Sequence, residues 1–307
     1  TMSALPFIIS YGRNCGSSLY SSGEIYRVYH NHHNYQDGGN PRMNSASKKA
    51  ILVVSFGTSY ENTRKLTIEA IEHDIADAFP ACPTYRAWTS KMIIAKLKKR
   101  DGLTIHTVKE ALEQMLLDGI TDVIVQPTHV INGIENDQMK ADALSFRDRF
   151  SSIVFGNPLL TTEEDNQAIV RVVADEFRDM DPDTALVLMG HGTEHYANTV
   201  YAALDYRFKD TGHKNIFLGT VEAYTALDSL LRAADSFHPK KIVLAPFMIV
   251  AGDHAQNDLA GANPDSWMNR LSSEGYEVTP VLKGLGEYPQ VRQILVEHVQ
   301  QAMNVSV

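Results

Sequence analysis

From Lys48 onward, short apolar runs alternate with longer segments whose apolar residues recur every three or four positions. Residues 50–54 are wholly apolar, which is typical of a strand buried on both faces of a sheet. Residues 62–79 then carry apolar side chains at helical spacing, and Pro80 ends the segment. The pattern therefore predicts a strand, a turn and a helix as the first unit.

The same alternation continues to the end of the chain. Strands are predicted at residues 84–88, 123–126, 153–155, 185–189, 216–219, 241–245 and 277–281. Helices are predicted at 90–99, 107–117, 139–150, 162–177, 196–208, 224–237, 266–273 and 289–303, with an irregular loop before residue 139. Repeated strand–helix units indicate an α/β fold with parallel sheets and right-handed crossovers.

Two segments of the first half reappear in the second. Residues 51–58 are similar to residues 186–193. Residues 122–137 are similar to residues 241–258, and both of these segments contain a proline and a glycine and end in Asn-Asp. Chance similarity of two strand–turn–helix units is the alternative, but the shared frame favours duplication. We therefore predict two similar domains, 47–184 and 185–307, with a cleft between them and a last helix able to pack on the first domain.

Residues 1–46 differ from the rest of the chain. They are rich in Ser, Asn, Gly, Tyr and His and show no apolar period, which predicts a disordered extension. His30, His32 and His33 are then expected in solvent rather than on a metal. Met43 is an alternative start of the working protein.

Composition and charge narrow the classes of protein. A hydrophobic content of 44% with 21% charged residues is that of a globular protein, and no apolar run approaches the roughly 20 residues of a membrane helix. The net charge of -9, without a basic run, argues against nucleic-acid binding. Cys15 and Cys82 form no CxxC pair, so we expect a reducing cytoplasm, and homo-oligomers remain possible.

Four polar side chains fall near the ends of predicted strands: Glu135, His191, Glu222 and His254. Neutral imidazoles with one or two carboxylates can bind a divalent first-row metal, and the same groups can remove protons near neutral pH. Three of them have a plainer alternative: His191 as a strand cap between two glycines, Glu135 as a solvated loop residue, and His254 as part of a turn. Glu222 follows its strand closely.

Most of the other histidines are weaker candidates, and the common catalytic motifs do not occur in the sequence. His129 is a further strand-end candidate, whereas His195 is a weaker one. The others are expected in solvent: His73, His106, His213, His238 and His298. The sequence has no HExxH, GxSxG, Walker A or GxGxxG motif, which excludes the commonest metalloprotease, hydrolase and nucleotide-binding classes.

Several short motifs taken together resemble one family. They occur at residues 55–59, 128–133, 189–192, 219–222, 251–258 and 266–267. In that order they are similar to the anaerobic sirohydrochlorin cobaltochelatases of the CbiK type, which are class II chelatases of cobalamin and porphyrin biosynthesis. The resemblance runs from Lys48 to the C-terminus, and only the loop at 133–137 departs from the family pattern, being less acidic and lacking a tyrosine.

The resemblance implies a lyase that inserts Co²⁺, as a substrate metal, into sirohydrochlorin or a related tetrapyrrole without a nucleotide. It implies His191, Glu222 and His254 as metal ligands and, with Glu135, as catalytic residues. Ser55, Thr58, Ser59 and His129 are expected to bind the tetrapyrrole between the two domains. Fe²⁺ or Ni²⁺ chelation, and a non-catalytic metal- or tetrapyrrole-binding module, are the alternatives.

Overall fold

The fold is described by a computed structural model of residues 47–305. The predictions for residues 1–46, including the disordered extension and the three histidines within it, lie outside the described residues. All eight strands predicted from the apolar runs are present. They are β1 Lys49–Ser55, β2 Thr84–Trp88, β3 Asp122–Pro127, β4 Ser152–Phe155, β5 Thr184–Gly190, β6 Ile216–Thr220, β7 Lys241–Pro246 and β8 Glu277–Pro280.

Helices connect the strands as the 3.6-residue periodicity predicts. They are α1 Glu61–Arg64, α2 Ala70–Ala78, α3 Lys91–Asp101, α4 Val108–Leu117, α5 Ile134–Leu144, α6 Glu163–Glu176, α7 Thr199–Asp210, α8 Leu227–Asp235, α9 Trp267–Ser273 and α10 Pro289–Val305. Two segments are π-helical: Lys65–Glu69, which joins α1 to α2, and Ala255–Leu259. Among residues 47–305, no helix is both long and apolar enough to cross a membrane.

Strand order shows the internal repeat directly. The first sheet has the order β2-β1-β3-β4 and the second β6-β5-β7-β8, with every pairing parallel. The register also repeats, since Val54 pairs with Pro127 as Met189 pairs with Pro246. The predicted fold of two similar parallel α/β sheets flanked by helices is therefore confirmed.

Alternate residues of the central strands enter different hydrophobic cores. Ile51 and Val53 of β1 face a core that also includes Leu186 and Leu188 of β5, whereas Leu52 faces a separate core on the outer side of the first sheet. A third core covers the outer face of the second sheet. The two halves thus share one continuous apolar core, and each keeps an outer one of its own.

The last helix, α10, returns to the first half, where it contacts α2, β3 and β4. His298 on this helix was expected in solvent, and that expectation was wrong because its ring is 1% exposed. Its Nε2 lies 2.9 Å from Asp165 Oδ1, and its Nδ1 lies 3.0 Å from the Asn157 carbonyl oxygen. Buried imidazoles usually have such partners, and here they attach α10 to α6 and to the loop before it.

One predicted boundary was displaced near the site. The helix expected from residue 139 begins at Ile134, so Glu135 lies in the first turn of α5 and not in an irregular loop. Gly133 is the N-cap residue of α5, and the acidic side chains of Glu135 and Asp137 follow it. Negative charge at a helix N-terminus is favourable because the free amides there carry partial positive charge.

Candidate metal centre

Three of the predicted ligands meet at the carboxyl ends of adjacent strands. His191 follows β5, Glu222 follows β6 and His254 follows β7 in chain order. Because β5 lies between β6 and β7, the loops after these strands emerge side by side. One ligand atom from each residue lies within 4.8 Å of the other two. The sheet topology therefore assembles this cluster from three separate parts of the sequence.

Gly192 permits the close approach of the loops that carry His191 and Glu222. Its φ is 85°, and an added Cβ would lie 2.8 Å from Thr220 Cβ and 3.0 Å from the Ala223 nitrogen. Any other residue would be strained in φ and would collide with the Glu222 loop. The loop is held further by a 2.9 Å hydrogen bond from the Glu222 amide to the His191 carbonyl.

Hydrogen bonds on the far side of each ring determine which histidine nitrogen faces the cluster. His191 Nδ1 lies 2.7 Å from the Gly192 carbonyl oxygen, and His254 Nδ1 lies 2.6 Å from Asp258 Oδ2. Both partners accept hydrogen bonds, so each neutral imidazole carries its proton on Nδ1. The Nε2 lone pairs are then free, and each lies 3.9 Å from a different carboxylate oxygen of Glu222.

The geometry of the cluster suits an exchangeable ion. The 3.9 Å separations are too long for hydrogen bonds, so the three groups are not satisfied by one another. The rings of His191 and His254 meet edge to face at 4.6 Å. The side chains are 38%, 52% and 32% exposed for His191, Glu222 and His254, so a metal ion can arrive from solvent. Two imidazoles and one carboxylate leave coordination positions open.

Glu135 comes from the other half of the molecule and is not part of this three-residue cluster. Its charge acts on two neighbours, the Tyr201 hydroxyl and the His129 ring. Tyr201 packs under Gly190, where an added Cβ would lie 2.8 Å from its ring. Burial raises the pKa of Tyr201, and the charge of Glu135 raises it further. Glu135 is thereby placed beside the strand end that carries His191.

His129 has an unusual environment for a predicted ligand-binding residue. Both ring nitrogens are buried, and neither has a partner at full hydrogen-bond geometry within the described part of the chain, although the residue as a whole is only half-buried. Burial lowers the pKa of His129 to about 4, while the nearby charge of Glu135 and the side chain of Asn136 act in the opposite direction. The ring is therefore neutral at neutral pH.

The predicted hydroxyl contacts to a substrate, Ser55, Thr58 and Ser59, are all buried. The Thr128 hydroxyl donates to Ser55 Oγ at 2.9 Å, and the Tyr60 amide donates to Thr58 Oγ1 at 3.2 Å. Their substrate-binding role stays a prediction.

Loops of the two halves meet beside the cluster, and each contact joins loops that are not counterparts in the repeat. The Tyr60 hydroxyl lies 3.3 Å from Asp253 Oδ1, next to His254. His195 Nε2 lies 3.4 Å from Asp137 Oδ2, close in the chain to Glu135. Neither contact was predicted from the sequence, because nothing in it pairs a residue of one half with a residue of the other.

Asp258 is the main functional neighbour that sequence reasoning missed. The sequence analysis includes it only in the repeated Asn-Asp frame, with a turn at residues 252–254 as the alternative to a functional His254. His254 and Asp258 are four positions apart, and the helical turn at Ala255–Leu259 brings them together. The spacing was the available signal, but it becomes informative only once the segment is known to be helical.

The protein therefore has two similar parallel α/β sheets, and an open imidazole–carboxylate cluster lies at the strand ends of the second sheet. Residues 49–304 match the family model described as cobalt chelatase (CbiK). The chain belongs to the CbiK cobalt chelatase family.

Named relatives agree with this assignment. The sirohydrochlorin cobaltochelatase of Salmonella typhimurium is 38% identical over 260 residues, which are 85% of this chain and 98% of that protein. The sirohydrochlorin cobaltochelatase CbiKC of Nitratidesulfovibrio vulgaris is 32% identical over 84% of this chain and 92% of its own length.

A solved structure supports the same fold. The cobalt complex of the sirohydrochlorin chelatase SirB from Bacillus subtilis subspecies spizizenii has a TM-score of 0.57 and 13% identity. The similarity covers 84% of this chain and 96% of SirB. At this identity the comparison supports the fold alone.

Proposed function

We propose that this protein inserts Co²⁺ into sirohydrochlorin without consuming ATP. One observation carries the proposal: the Nε2 lone pairs of His191 and His254 both point to the carboxylate of Glu222, in a cluster that solvent can reach. Membership of the cobalt chelatase family and the names of the two curated relatives supply the substrate. The overall reaction exchanges one divalent metal ion for two pyrrole protons.

The metal is received by His191, Glu222 and His254. Both histidines are held with Nε2 toward the cluster, so their lone pairs are available to an incoming ion. The carboxylate between them offsets part of the positive charge of the ion. Three protein ligands leave positions that the four ring nitrogens can take over as the metal transfers.

Proton removal is assigned to the carboxylates and to whichever imidazole the departing metal leaves free. Glu222 lies within the cluster, and Glu135 lies in the opposite half beside Tyr201 and His129. A flat tetrapyrrole bound between the two halves would have one proton acceptor on each face. Its two pyrrole protons can then leave from opposite faces of the ring. His129 is neutral at neutral pH and can bind the ring without adding charge.

Apolar side chains beside the loops of the first half suit the faces of the macrocycle. Phe56, which follows β1, is 46% exposed, and Ile134, at the start of α5, is 53% exposed. Apolar side chains left in solvent at a site are commonly covered by the ligand. We assign the ring contact to these two residues together with the loop that contains Ser55, Thr58 and Ser59.

A multiple-turnover assay tests the proposal. The protein is mixed anaerobically with excess sirohydrochlorin and Co²⁺, Fe²⁺ or Ni²⁺ in separate reactions without nucleotide, and the absorption of the metallated ring is followed. Many turnovers with Co²⁺ are expected. A change that stops at one equivalent would instead support the non-catalytic binding module, and faster turnover with Fe²⁺ or Ni²⁺ would reassign the metal.

A further inference from the structure

We propose that Asp258 is a positioning residue that fixes which nitrogen of His254 carries the proton, so that the Nε2 lone pair always faces Glu222. The inference rests on the proposed function of the His191, Glu222 and His254 cluster. It adds a residue that does not touch the metal and to which neither the family resemblance nor the sequence pattern gave a role.

The distances define the arrangement around the His254 ring. Nδ1 lies 2.6 Å from Asp258 Oδ2, whereas Nε2, on the other side of the ring, lies 3.9 Å from Glu222 Oε1. An ionised carboxylate can only accept a hydrogen bond, so the single proton of a neutral imidazole is held on Nδ1. Without this acceptor, the proton is free to occupy Nε2, where it blocks metal binding.

Local backbone structure makes the pair possible. His254 is the N-cap residue of the π-helical turn Ala255–Leu259, and Asp258 lies four positions later on the same side. Within residues 47–305, Asp258 forms an ion pair with His254 and with no other residue. Its carboxylate is therefore not committed to a lysine or arginine that would compete for it.

His191 provides an internal comparison. Its Nδ1 donates to the Gly192 carbonyl at 2.7 Å, and a side-chain substitution cannot remove that acceptor. Of the two, only His254 is oriented by a side chain, which a substitution can remove. The two histidines thus present the same nitrogen to the metal by different means, and only one of them can be altered by a single substitution.

The first experiment measures the tautomer itself. Long-range proton–nitrogen NMR on the full chain labelled with ¹⁵N-histidine distinguishes Nδ1–H from Nε2–H, and His254→Gln assigns the signal. Wild type is expected to show the Nδ1–H form at His254, and Asp258→Ala to shift it toward Nε2–H. Asp258→Asn keeps an acceptor oxygen and is expected to lie between them. Retention of the wild-type pattern in Asp258→Ala would overturn the proposal.

The second experiment measures Co²⁺ affinity without tetrapyrrole and then the insertion kinetics. Asp258→Ala is expected to weaken Co²⁺ binding about 10- to 100-fold, with a smaller loss in Asp258→Asn and an unchanged KM for the ring. Unchanged Co²⁺ affinity in a folded Asp258→Ala protein would contradict the role.

His73 and Asp77 form an exposed pair with the same four-residue spacing, Nδ1 to Oδ2 at 3.2 Å, so Asp77→Ala is the matched control. It should change neither Co²⁺ affinity nor turnover. The proposed function can fail separately, since a wild type that binds Co²⁺ but does not metallate sirohydrochlorin leaves the tautomer result intact.

Discussion

Phe56 and His191 occupy equivalent positions in the two halves of the molecule. Each directly follows the first strand of its half, which is an inner strand of its sheet, and precedes a glycine of positive φ, Gly57 at 105° and Gly192 at 85°. The repeated register places both residues at the same height above their sheets. The duplicated scaffold thus presents an imidazole in one half and an exposed aromatic ring in the other.

Replacing Phe56 with alanine should weaken tetrapyrrole binding and leave the metal cluster intact. Covering a half-exposed phenylalanine is worth about 1 kcal/mol, so KM for the ring should rise about five-fold. Co²⁺ affinity measured without the ring should not change. Leu117→Ala, at an 82% exposed position at the end of α4, serves as the control. An unchanged KM in Phe56→Ala would remove Phe56 from the ring site.

Replacing His191 with alanine should reduce insertion at least about 100-fold without unfolding the protein, because half of the imidazole pair is lost and no packed core residue is removed. Turnover, Co²⁺ affinity and circular dichroism are measured together. His73→Ala is the matched change at an exposed histidine outside the cluster and should behave as wild type. A folded His191→Ala protein with normal turnover would reject the assigned metal site.

The buried Asp165–His298 pair predicts a pH-dependent contribution to stability. Burial alone would raise the pKa of Asp165, but hydrogen bonds from His298 and Thr162 outweigh it and lower the pKa. The pKa of Asp165 is therefore lower in the folded protein than in the unfolded chain, where it is about 3.9. The pair stabilises the fold fully above about pH 3.9, and this stabilisation is lost as the pH falls through the folded-state pKa.

Asp165→Asn should therefore cost about 3 kcal/mol in the free energy of unfolding at pH 7, and the difference from wild type should shrink below about pH 4. Urea denaturation of both proteins at several pH values measures this difference in the free energy of unfolding. Asp148→Asn, in an exposed pair with Arg147, is the control and should change stability by less than about 0.5 kcal/mol. A constant difference across the acid range would show that the pair is not the cause.

His129 predicts a second pH effect, at higher pH. Its folded-state pKa of about 4 lies below the ordinary pKa of about 6.5. As the pH is lowered, the unfolded chain therefore binds a proton on this ring before the folded protein does. Stability attributable to this residue is therefore complete above about pH 6.5 and decreases as the pH falls toward 4. His129→Leu removes this titration and should flatten the stability profile between those values.

Denaturation of wild type and His129→Leu in parallel at pH 7 and pH 5 measures the effect. Neither ring nitrogen has a partner at full hydrogen-bond geometry in the described structure, so the apolar replacement should cost less at pH 7 than the loss of a fully hydrogen-bonded imidazole. If His129 also binds the ring, KM for sirohydrochlorin rises in the same variant. Parallel loss of stability in both proteins would show that the imidazole is not the titrating group.

The sequence by itself determined the secondary structure and the repeat. Buried parallel strands appear in the sequence as apolar runs, and helices appear as apolar residues with a period of about 3.6. Both patterns follow from local backbone geometry. The strand-end positions of His191, Glu222 and His254 were visible for the same reason. Boundaries were less well determined, as the early start of α5 at Ile134 shows, since tertiary packing decides where a helix begins.

Only the tertiary structure decided what those residues do together. The order β6-β5-β7 brings three distant loops side by side, and strand order depends on long-range packing that local sequence does not encode. The burial of His129 and His298, the contact between Asp137 and His195, and the orientation of His254 by Asp258 depend on the same packing. A histidine can be located from its neighbours in sequence, but the nitrogen it presents is set by its neighbours in space.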